Sequence, residues 1–461
     1  MVLRLSMMAV EPNGWKLEVN VELLAHIKKI YFNKDNLSDA DMQISRKISV
    51  FEGCTARSIL TLTSGAFLVG FAKFLGASNQ ISGIISAIPV LAGIVMAFSP
   101  IVFEKMENRK FITCLFCFIG RLLLGMMIII PFIKVSRVFQ LSILISVFFI
   151  ANLLLAFTSP ASQTWILDIT PEKIRGVYFG RRESIVLGTV TIITLVMGQV
   201  LDRYEKRGDM LTGFVILYIF VIFSAIANFI LFSNIKEPCN KLAKNKVSFK
   251  NVFKIPLKNN VYMIVVLLMA LWNIGFQLAA PFTSVYMVSH LKLGYSLITI
   301  MTVLASFTSV LSVRLWGRLA DKKSWLYLIK LMVVIQILCF FIWFFINRNT
   351  LFLLPIAHIL SGAAIAGINI SINNIQYSFS PKESKTIYMG FSSAVNGIFG
   401  FCGTLAGAYF VKDADSLYFK VAGFTIENMQ MIFLTAGVVL TGCLIVIRIL
   451  KKYEDYATIQ T

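Results

Sequence analysis

The stretch Gly317-Arg318-Leu319-Ala320-Asp321-Lys322-Lys323 decides the fold, because it places an acid and several bases between two long apolar runs. A glycine precedes the acid by four places, and two lysines follow it. In a membrane protein such a patch lies at the bilayer surface, where acids, bases and helix ends can meet. A weaker copy, Glu104-Lys105-Met106-Glu107-Asn108-Arg109-Lys110, lies 217 residues earlier. Two such copies predict a duplicated membrane protein.

Composition places the chain among polytopic membrane proteins. Of its 461 residues, 57% are hydrophobic and only 14% are charged, and the mean hydropathy is +0.78. A soluble protein of this length could not cover so much apolar surface. The first 50 residues carry charges throughout and lack an apolar run, so no cleavable signal peptide is expected. The net charge is +20, and the basic residues lie between apolar runs. This placement favours contact with anionic lipid over nucleic-acid binding.

Twelve apolar runs near 20 residues in length can each cross a bilayer as a helix. They form two sets of six, at 48–76, 79–102, 110–133, 139–167, 183–202 and 211–235, and at 260–290, 294–316, 325–347, 351–378, 388–411 and 427–450. We therefore expect an all-α membrane protein with two pseudo-symmetric six-helix bundles. The expected divisions are an N-terminal segment 1–47, bundles 48–235 and 260–450, a basic linker 236–259 and a tail 451–461.

Basic residues predict the orientation of these helices. Lys and Arg number 30 in the terminal segments, the linker and the other even-numbered loops, against nine in the odd-numbered loops. Because basic loops tend to stay in the cytoplasm, we expect both termini there, in a multi-pass protein of the plasma (inner) membrane.

The two halves also repeat in sequence. Residues 171–180 match residues 381–390 at an offset of 210, with a proline, a basic residue, a tyrosine and a glycine in corresponding places. The eleventh run carries glycines at spacings of three and four, namely Gly397, Gly400, Gly403 and Gly407. This spacing predicts close contact between the two bundles at this helix.

These features resemble the major facilitator superfamily, a family of secondary transporters with two six-helix halves, a central linker and cytoplasmic termini. The most diagnostic motif of that family is a glycine, an acid four places later and a basic tail. The motif lies between helices two and three and again between helices eight and nine. Gly317, Asp321 and Lys322 fit the second copy, whereas Pro100 replaces the glycine of the first. The resemblance covers residues 48–450.

The resemblance implies a latch that holds the two bundles together at the cytoplasmic side in the outward-facing state. A carboxylate there can lie against the positive N-terminal end of a helix and pair with nearby bases. The implied members are Glu104, Lys105, Arg109, Gly317, Asp321 and Lys322, with Arg175 and Lys385 as candidate partners. The alternative is that these charges only anchor helices at the bilayer surface.

The resemblance also implies that helices one, four, seven and ten line a central cavity. Ser159 and Gln163 are four residues apart and share a helix face, and the offset of 210 carries this pair onto Asn369 and Asn373. Amides in lipid are costly, so these faces should point inward. The predicted substrate contacts are Ser159, Gln163, Trp272, Asn273, Gln277, His358, Asn369 and Asn373. Hydrogen bonds between helices are the alternative role for the same side chains.

Few ionisable groups lie inside the predicted spans, which limits how transport could be coupled to an ion gradient. The candidates for coupling are Glu52, Arg57, Arg121 and Asp168. Glu52 and Arg57 are expected near the cytoplasmic start of helix one, and no carboxylate is expected deep in the cavity. Arg121, in helix three, could balance an acid, reach the bilayer surface or attract an anionic substrate.

We therefore predict a transporter that moves a small neutral or zwitterionic organic solute by alternating access. Efflux of a drug or metabolite is the first alternative, and a non-transporting sensor with the same fold is the second. No HExxH, Walker or GxSxG motif is present, so we expect no enzyme activity, no cofactor and no metal site. The expected partners are the solute and anionic lipids, with no nucleic acid, and the protein is expected to be a monomer.

Overall fold

The structure is a computed structural model, and it describes residues 31, 37–103, 106, 108–171, 174–238, 254–381, 385–411, 418–421 and 424–453. Within these ranges, eleven helices are long and apolar enough to cross a membrane, and one bent pair of helices brings the number to twelve. The chain is therefore a multi-pass membrane protein.

The first half of the chain contains helices α1 to α6. Helix α1 consists of the segments Asp39–Leu62 and Gly65–Phe74, which meet at an angle of 43°. The other five helices are α2 (Asn79–Phe103), α3 (Lys110–Phe132), α4 (Arg137–Asp168), α5 (Arg175–Lys206) and α6 (Met210–Asn234).

The second half contains helices α7 to α12. They are α7 (Asn260–His290), α8 (Tyr295–Lys322), α9 (Trp325–Phe345), α10 (Leu353–Phe379), α11 (Lys385–Val411) and α12 (Asn428–Lys451). The predicted all-α membrane fold is confirmed. The described residues also include one short antiparallel hairpin between α11 and α12, formed by β1 (Tyr418–Val421) and β2 (Phe424–Glu427).

Successive helices alternate in direction, so their ends form two faces of the molecule. We call the face that carries Asp39, Lys322 and Lys451 the terminal face. The opposite face, which carries Lys206 and Tyr295, is called the distal face.

Three helices extend at least six residues farther toward the terminal face than the apolar runs predicted. Helix α1 begins nine residues early, at Asp39, and α5 begins eight residues early, at Arg175. Helix α8 ends six residues late, at Lys322, so the stretch Gly317–Lys323 is helical almost to its end rather than a loop. Hydropathy falls where charged residues begin, whereas a helix continues until its backbone hydrogen bonds are capped.

The early start of α1 has such a cap. The Ser38 hydroxyl accepts a hydrogen bond from the backbone N–H of Asp41, and the Asp41 carboxylate accepts one from the backbone N–H of Ser38. This reciprocal pair satisfies two donors that the first turn of a helix otherwise leaves open.

Each half has its own apolar core. In the first half, the ring of Phe71 lies 5.2 Å from that of Phe214 and 4.8 Å from that of Tyr218. In the second half, the rings of Trp343 and Phe433 stack at 5.3 Å. Burial of apolar side chains within each half gives two bundles that can pack against each other as units.

The two halves meet through α2 against α11 and through α5 against α8. The glycines of α11 permit the first contact, as their spacing predicts. A Cβ atom added at Gly397 would lie 2.5 Å from the Ile94 side chain, and one at Gly400 would lie 2.8 Å from Val90. Both distances are too short for a real Cβ contact, so these positions need glycine.

Candidate functional site

At the distal face, polar contacts join the two halves. The Asp202 carboxylate of α5 accepts hydrogen bonds from the backbone N–H groups of Tyr295 (2.5 Å) and Ser296 (3.0 Å), the first two residues of α8. A carboxylate at this position satisfies open donors and interacts favourably with the positive end of the helix. The side chains of Asn79 and His290 also lie 3.3 Å apart across the halves. The distal face is therefore closed.

At the terminal face, the predicted latch residues of α8 point to open space. Asp321 is exposed, and it forms no ion pair within the part of the chain that the structure describes. A Cβ atom added at Gly317 would meet no atom within 4 Å, and Lys322 is exposed. Among the described residues, no hydrogen bond or ion pair closes the terminal face at Asp321.

The other predicted latch residues are only partly described. Glu104 and Lys105 lie outside the described residues, and so does the side chain of Lys385. Arg175 donates a hydrogen bond from Nε to the carbonyl oxygen of Thr170 at 3.0 Å, within its own half. The role of this set as a latch stays a prediction.

Arg109 belongs to an ion network on the terminal face of the first half. Its guanidinium donates to Asp168 at 2.7 Å and to Glu237 at 3.1 Å. The Glu237 carboxylate also accepts the backbone N–H groups of Arg109 and Lys110, so it caps the start of α3. Asp168, a predicted coupling residue, thus lies in a network that ties the linker to α3 and α4. The sequence carried no signal for Glu237 beyond its place in the linker.

A cavity of about 350 Å³ lies between the halves, with walls from α1, α5 and α8. Hydroxyl groups line much of it, from Thr61, Ser64, Thr191, Thr194, Thr299, Thr302 and Ser306. Arg57 and Glu183 form an ion pair at its edge, at 3.2 Å, and both side chains are at least half exposed. We call this the central cavity. It presents hydroxyls together with one charge of each sign.

The face of α10 that carries Asn369 and Asn373 also carries Ile365, which lies near the Arg57–Glu183 ion pair. Ile365 lines a neighbouring cavity of about 270 Å³ together with Arg57 and Glu183. Asn369 and Asn373 follow Ile365 by four and eight residues, so they share its face, and both are exposed. Their contact with a solute stays a prediction.

The remaining candidates of the second half lie among its own helices. Trp272 is 8% exposed and stacks on Phe276 at 5.2 Å. Asn273 donates from Nδ2 to Oδ1 of Asn396 on α11 at 3.0 Å, which is the alternative role of a hydrogen bond between helices. The backbone carbonyl of Gln277 accepts a hydrogen bond from α11 at 3.1 Å.

His358 is packed inside the second half. It is 9% exposed, and its ring lies 5.5 Å from that of Trp343. Its Nδ1 lies 2.9 Å from the carbonyl oxygen of Leu354, one turn earlier in α10. The structure thus separates His358 from Asn369 and Asn373, with which the sequence grouped it.

A second cavity, of about 430 Å³, lies within the first half between α1, α3, α4 and α5. Ser159 and Gln163 line it, and Gln163 donates from Nε2 to the Ser159 hydroxyl at 3.1 Å. Its charged lining residues are Glu52, Arg121 and Arg182. We call it the first-half cavity. It brings together predicted substrate and coupling residues.

Glu52 is buried within the first half. Because α1 begins at Asp39, Glu52 is 13 residues into the helix, about 20 Å along its axis. Its side chain is 6% exposed. A buried carboxylate is therefore present, contrary to the sequence-based expectation.

Two arginines and an amide surround Glu52. One carboxylate oxygen lies 3.4 Å from Arg121, and the other lies 3.4 Å from Arg182. Arg121 donates to the amide oxygen of Asn228, whose Nδ2 in turn donates to the backbone carbonyl of Glu52 at 3.0 Å. Of the alternatives that the sequence left open for Arg121, the structure shows the pairing with an acid.

Sequence reasoning missed Arg182 and Asn228 as members of this cluster. Arg182 was placed outside the fifth span because its neighbours are charged. One signal was available in Gly53, since a Cβ atom there would lie 2.6 Å from the Arg182 guanidinium. The glycine lets the arginine cross the surface of α1 beside Glu52.

The sequence profile of the Major Facilitator Superfamily matches residues 53–404, which is well over half of the chain. The chain belongs to the Major Facilitator Superfamily. It is therefore a membrane transporter, not a typical enzyme. No curated protein matches the sequence.

Solved structures of transporters share the fold of this superfamily member. A variant of the nucleoside transporter NupG has a TM-score of 0.65 and 16% identity, covering 89% of this chain and 99% of that one. A bacterial homologue of the human lysosomal transporter Spinster, inward-facing and unoccupied, has a TM-score of 0.60 and 14% identity, covering 91% and 98%. A bacterial homologue of the iron transporter ferroportin, inward-facing, has a TM-score of 0.60 and 12% identity, covering 89% and 98%. Identities this low show the fold alone.

Proposed function

We propose that this protein moves a small polar organic solute across the plasma membrane by alternating access between its two halves. The observation that carries the proposal is the difference between its faces. Asp202 joins the halves at the distal face, whereas Asp321 faces open space at the terminal face. Alternating access requires states of this kind, in which one half rocks against the other around a site between them.

The distribution of basic residues supports a cytoplasmic terminal face. The segments and loops at this face hold 30 of the 43 Lys and Arg residues. Basic segments stay in the cytoplasm and are attracted to anionic lipid. In this orientation the conformation is open to the cytoplasm.

The lining of the central cavity supports a solute that is polar and either neutral or zwitterionic. Its hydroxyls offer chiefly acceptor oxygens, because most of them already donate their proton to a backbone carbonyl of their own helix, and the Arg57–Glu183 pair offers one charge of each sign without a net charge. The amides of Asn369 and Asn373 extend the polar wall along α10.

The position of Asp321 supports its role in a latch. This latch would hold the two halves together in the state in which the terminal face is closed. When the terminal face closes, α8 must approach the first half, and Gly317 has the free space that such an approach needs. Asp321 would then exchange water for helix N–H groups or bases at this face, with Arg175 of the first half and Lys385 of the second as candidates.

The test is transport by the purified protein in lipid vesicles, measured with a panel of radiolabelled nucleosides, amino acids and organic acids. We expect at least one solute to move in wild-type vesicles but not in empty ones, and preloaded unlabelled solute should accelerate uptake of the label by exchange. A protein that moves no solute under any imposed gradient would contradict transport and favour a sensor with the same fold. The direction of net movement under an imposed pH gradient distinguishes uptake from efflux.

A further inference from the structure

We propose that the first-half cavity binds a carboxylate group of the transported solute between Arg121 and Arg182, in competition with the carboxylate of Glu52. The inference rests on the proposed transport function and names the chemical class of its solute. Three observations carry it: the charge of the cavity, the unused donors of its arginines and the position of the central cavity beside it.

The first observation is an excess of positive charge. Among the described residues, the charged side chains that line the cavity are Glu52, Arg121 and Arg182, so one positive charge has no counter-charge there. The side chains of Arg121 and Glu52 are each at least 90% buried. Unpaired charge is costly within a membrane protein, so one negative charge from a solute would complete the site.

The second observation is that the arginines have donors to spare. The Nε atom of Arg121 is buried and has no hydrogen-bond partner among the described residues. Both contacts with Glu52 are 3.4 Å long, compared with about 2.7–2.9 Å for a strong charge-assisted hydrogen bond. Each guanidinium carries five N–H donors, so Glu52 does not saturate the pair.

These two features favour a carboxylate over a phosphate. A carboxylate brings one negative charge, which matches the excess, whereas a phosphate ester brings about −1.5 to −2 at neutral pH and would leave the cavity negative. The flat fork of a guanidinium also matches the two oxygens of a carboxylate. The hydroxyl of Ser159 and the amide of Gln163 add neutral donors to the same cavity, whereas the Ser162 hydroxyl already donates to the carbonyl oxygen of Thr158.

The third observation is that the two cavities adjoin. Leu60 of α1 lines both the first-half cavity and the central cavity. A solute with its carboxylate between the arginines that extends past Leu60 would bring its remaining groups toward the hydroxyls of the central cavity. This arrangement gives the solute an acidic end in the first half and a polar body between the halves.

The test is a thermal-shift titration of the full-length protein in lipid nanodiscs with acids and their matched amides. The pairs are lactate with lactamide and benzoate with benzamide, at constant ionic strength in chloride. We expect the acids to raise the unfolding temperature and the amides to leave it unchanged, since binding to the folded state alone stabilises it. Equal shifts from acid and amide, or no shift from any acid up to its solubility limit, would overturn the proposal.

Two variants with opposite expected effects separate a binding site from a structural ion cluster. Arg182→Gln removes one charged donor and should weaken acid binding by roughly tenfold or more. Glu52→Gln removes the competing carboxylate and should strengthen it by roughly tenfold. Arg348→Gln, at an exposed position between α9 and α10, is the matched control and should bind as wild type does. A structural cluster would show no gain of binding in Glu52→Gln, and that result would overturn the proposal.

Uptake by vesicles distinguishes this inference from the proposed function. If solutes move but Arg182→Gln changes neither the rate nor the preference for acid over amide, the carboxylate site is wrong and transport stands. If no solute moves while acids still stabilise the protein and Glu52→Gln still strengthens their binding, transport is wrong and the site stands.

Discussion

The two halves of the protein use the same helix contact for different chemistry. In the first half, Glu52 of α1 pairs with Arg182 of α5. At the repeat offset of 210, Tyr262 of α7 faces Ser392 of α11, and their hydroxyls hydrogen bond at 2.5 Å. A buried ion pair in one half thus corresponds to a buried neutral pair in the other.

Two further positions show the same difference. Arg121 lies 11 residues beyond the first residue of α3, and Gln336 lies 11 residues beyond the first residue of α9. Both side chains are buried, but only one is charged. The ion pair of Arg57 with Glu183 corresponds, at the offset of 210, to Leu267 and Ser393.

The difference indicates that the fold does not need these charges. Neutral groups hold the same helix pair together in the second half, and a buried ion pair is often no more stabilising than a well-packed neutral one. The charges of the first half therefore fit a role in binding or coupling better than a role in packing.

The largest effect is expected from a variant that removes the negative charge of the buried cluster in the first half. Glu52→Gln leaves Arg121 and Arg182 without their counter-charge and should lower the free energy of unfolding by about 3 kcal/mol or more in the absence of added acid. Thermal unfolding in nanodiscs measures the loss, and benzoate should restore part of it. A variant as stable as wild type would show that the cluster is neutral or hydrated rather than a buried ion network.

The next test replaces the charged cluster of the first half with the neutral residues found at the corresponding positions of the second half. The triple variant Glu52→Tyr, Arg121→Gln and Arg182→Ser should recover much of that stability, because no buried charge is left unpaired. We expect it to fold and to lose binding of acids. If the triple variant is less stable than Glu52→Gln alone, the charges are needed for the fold and the comparison of the halves fails.

The comparison extends to two acids at the boundary between the halves, Asp202 at the distal face and Asp321 at the terminal face. Asp202→Asn removes the charge from the cap on α8 and should favour opening of the distal face by about 1 kcal/mol, roughly a fivefold change in population. Spin labels on the distal ends of α5 and α8 would measure it as a longer distance. An unchanged distance distribution would show that the apolar contacts alone keep this face closed.

Asp321→Asn is the counterpart at the terminal face. It should reduce uptake and leave the unfolding temperature almost unchanged, because Asp321 is exposed in the present state and has no ion pair among the described residues. Spin labels at the terminal ends of α8 and α5 should show more of the open state. Unchanged flux would remove Asp321 from the latch.

The smallest expected effect is in the neutral pair of the second half. Tyr262→Phe removes one hydroxyl that bonds to Ser392 and to the carbonyl oxygen of Tyr388, and should lower the free energy of unfolding by about 1 kcal/mol. Binding of acids should not change. A loss of acid binding in this variant would mean that the halves do not differ as proposed.

The sequence by itself determined the membrane class, the two sets of six helices and the family. Apolar runs of bilayer length and the repeat between the halves are local properties, so no tertiary contact is needed to read them. The glycines of α11 also predicted a close helix contact, since Gly397 and Gly400 offer no side chain to hold a neighbour away. The shared face of Asn369 and Asn373 followed from helical periodicity.

Only the tertiary structure showed which charged residues of the first half are buried and how they pair with one another. The burial of Glu52 depends on the helices that carry Arg121, Arg182 and Asn228 and pack around it. The partners of Glu52 lie 69 positions away at Arg121 and 130 at Arg182, and no local pattern joins residues so far apart. Helix packing brings them together, and burial then makes their pairing matter, because an unpaired charge is far more costly inside a membrane protein than in water.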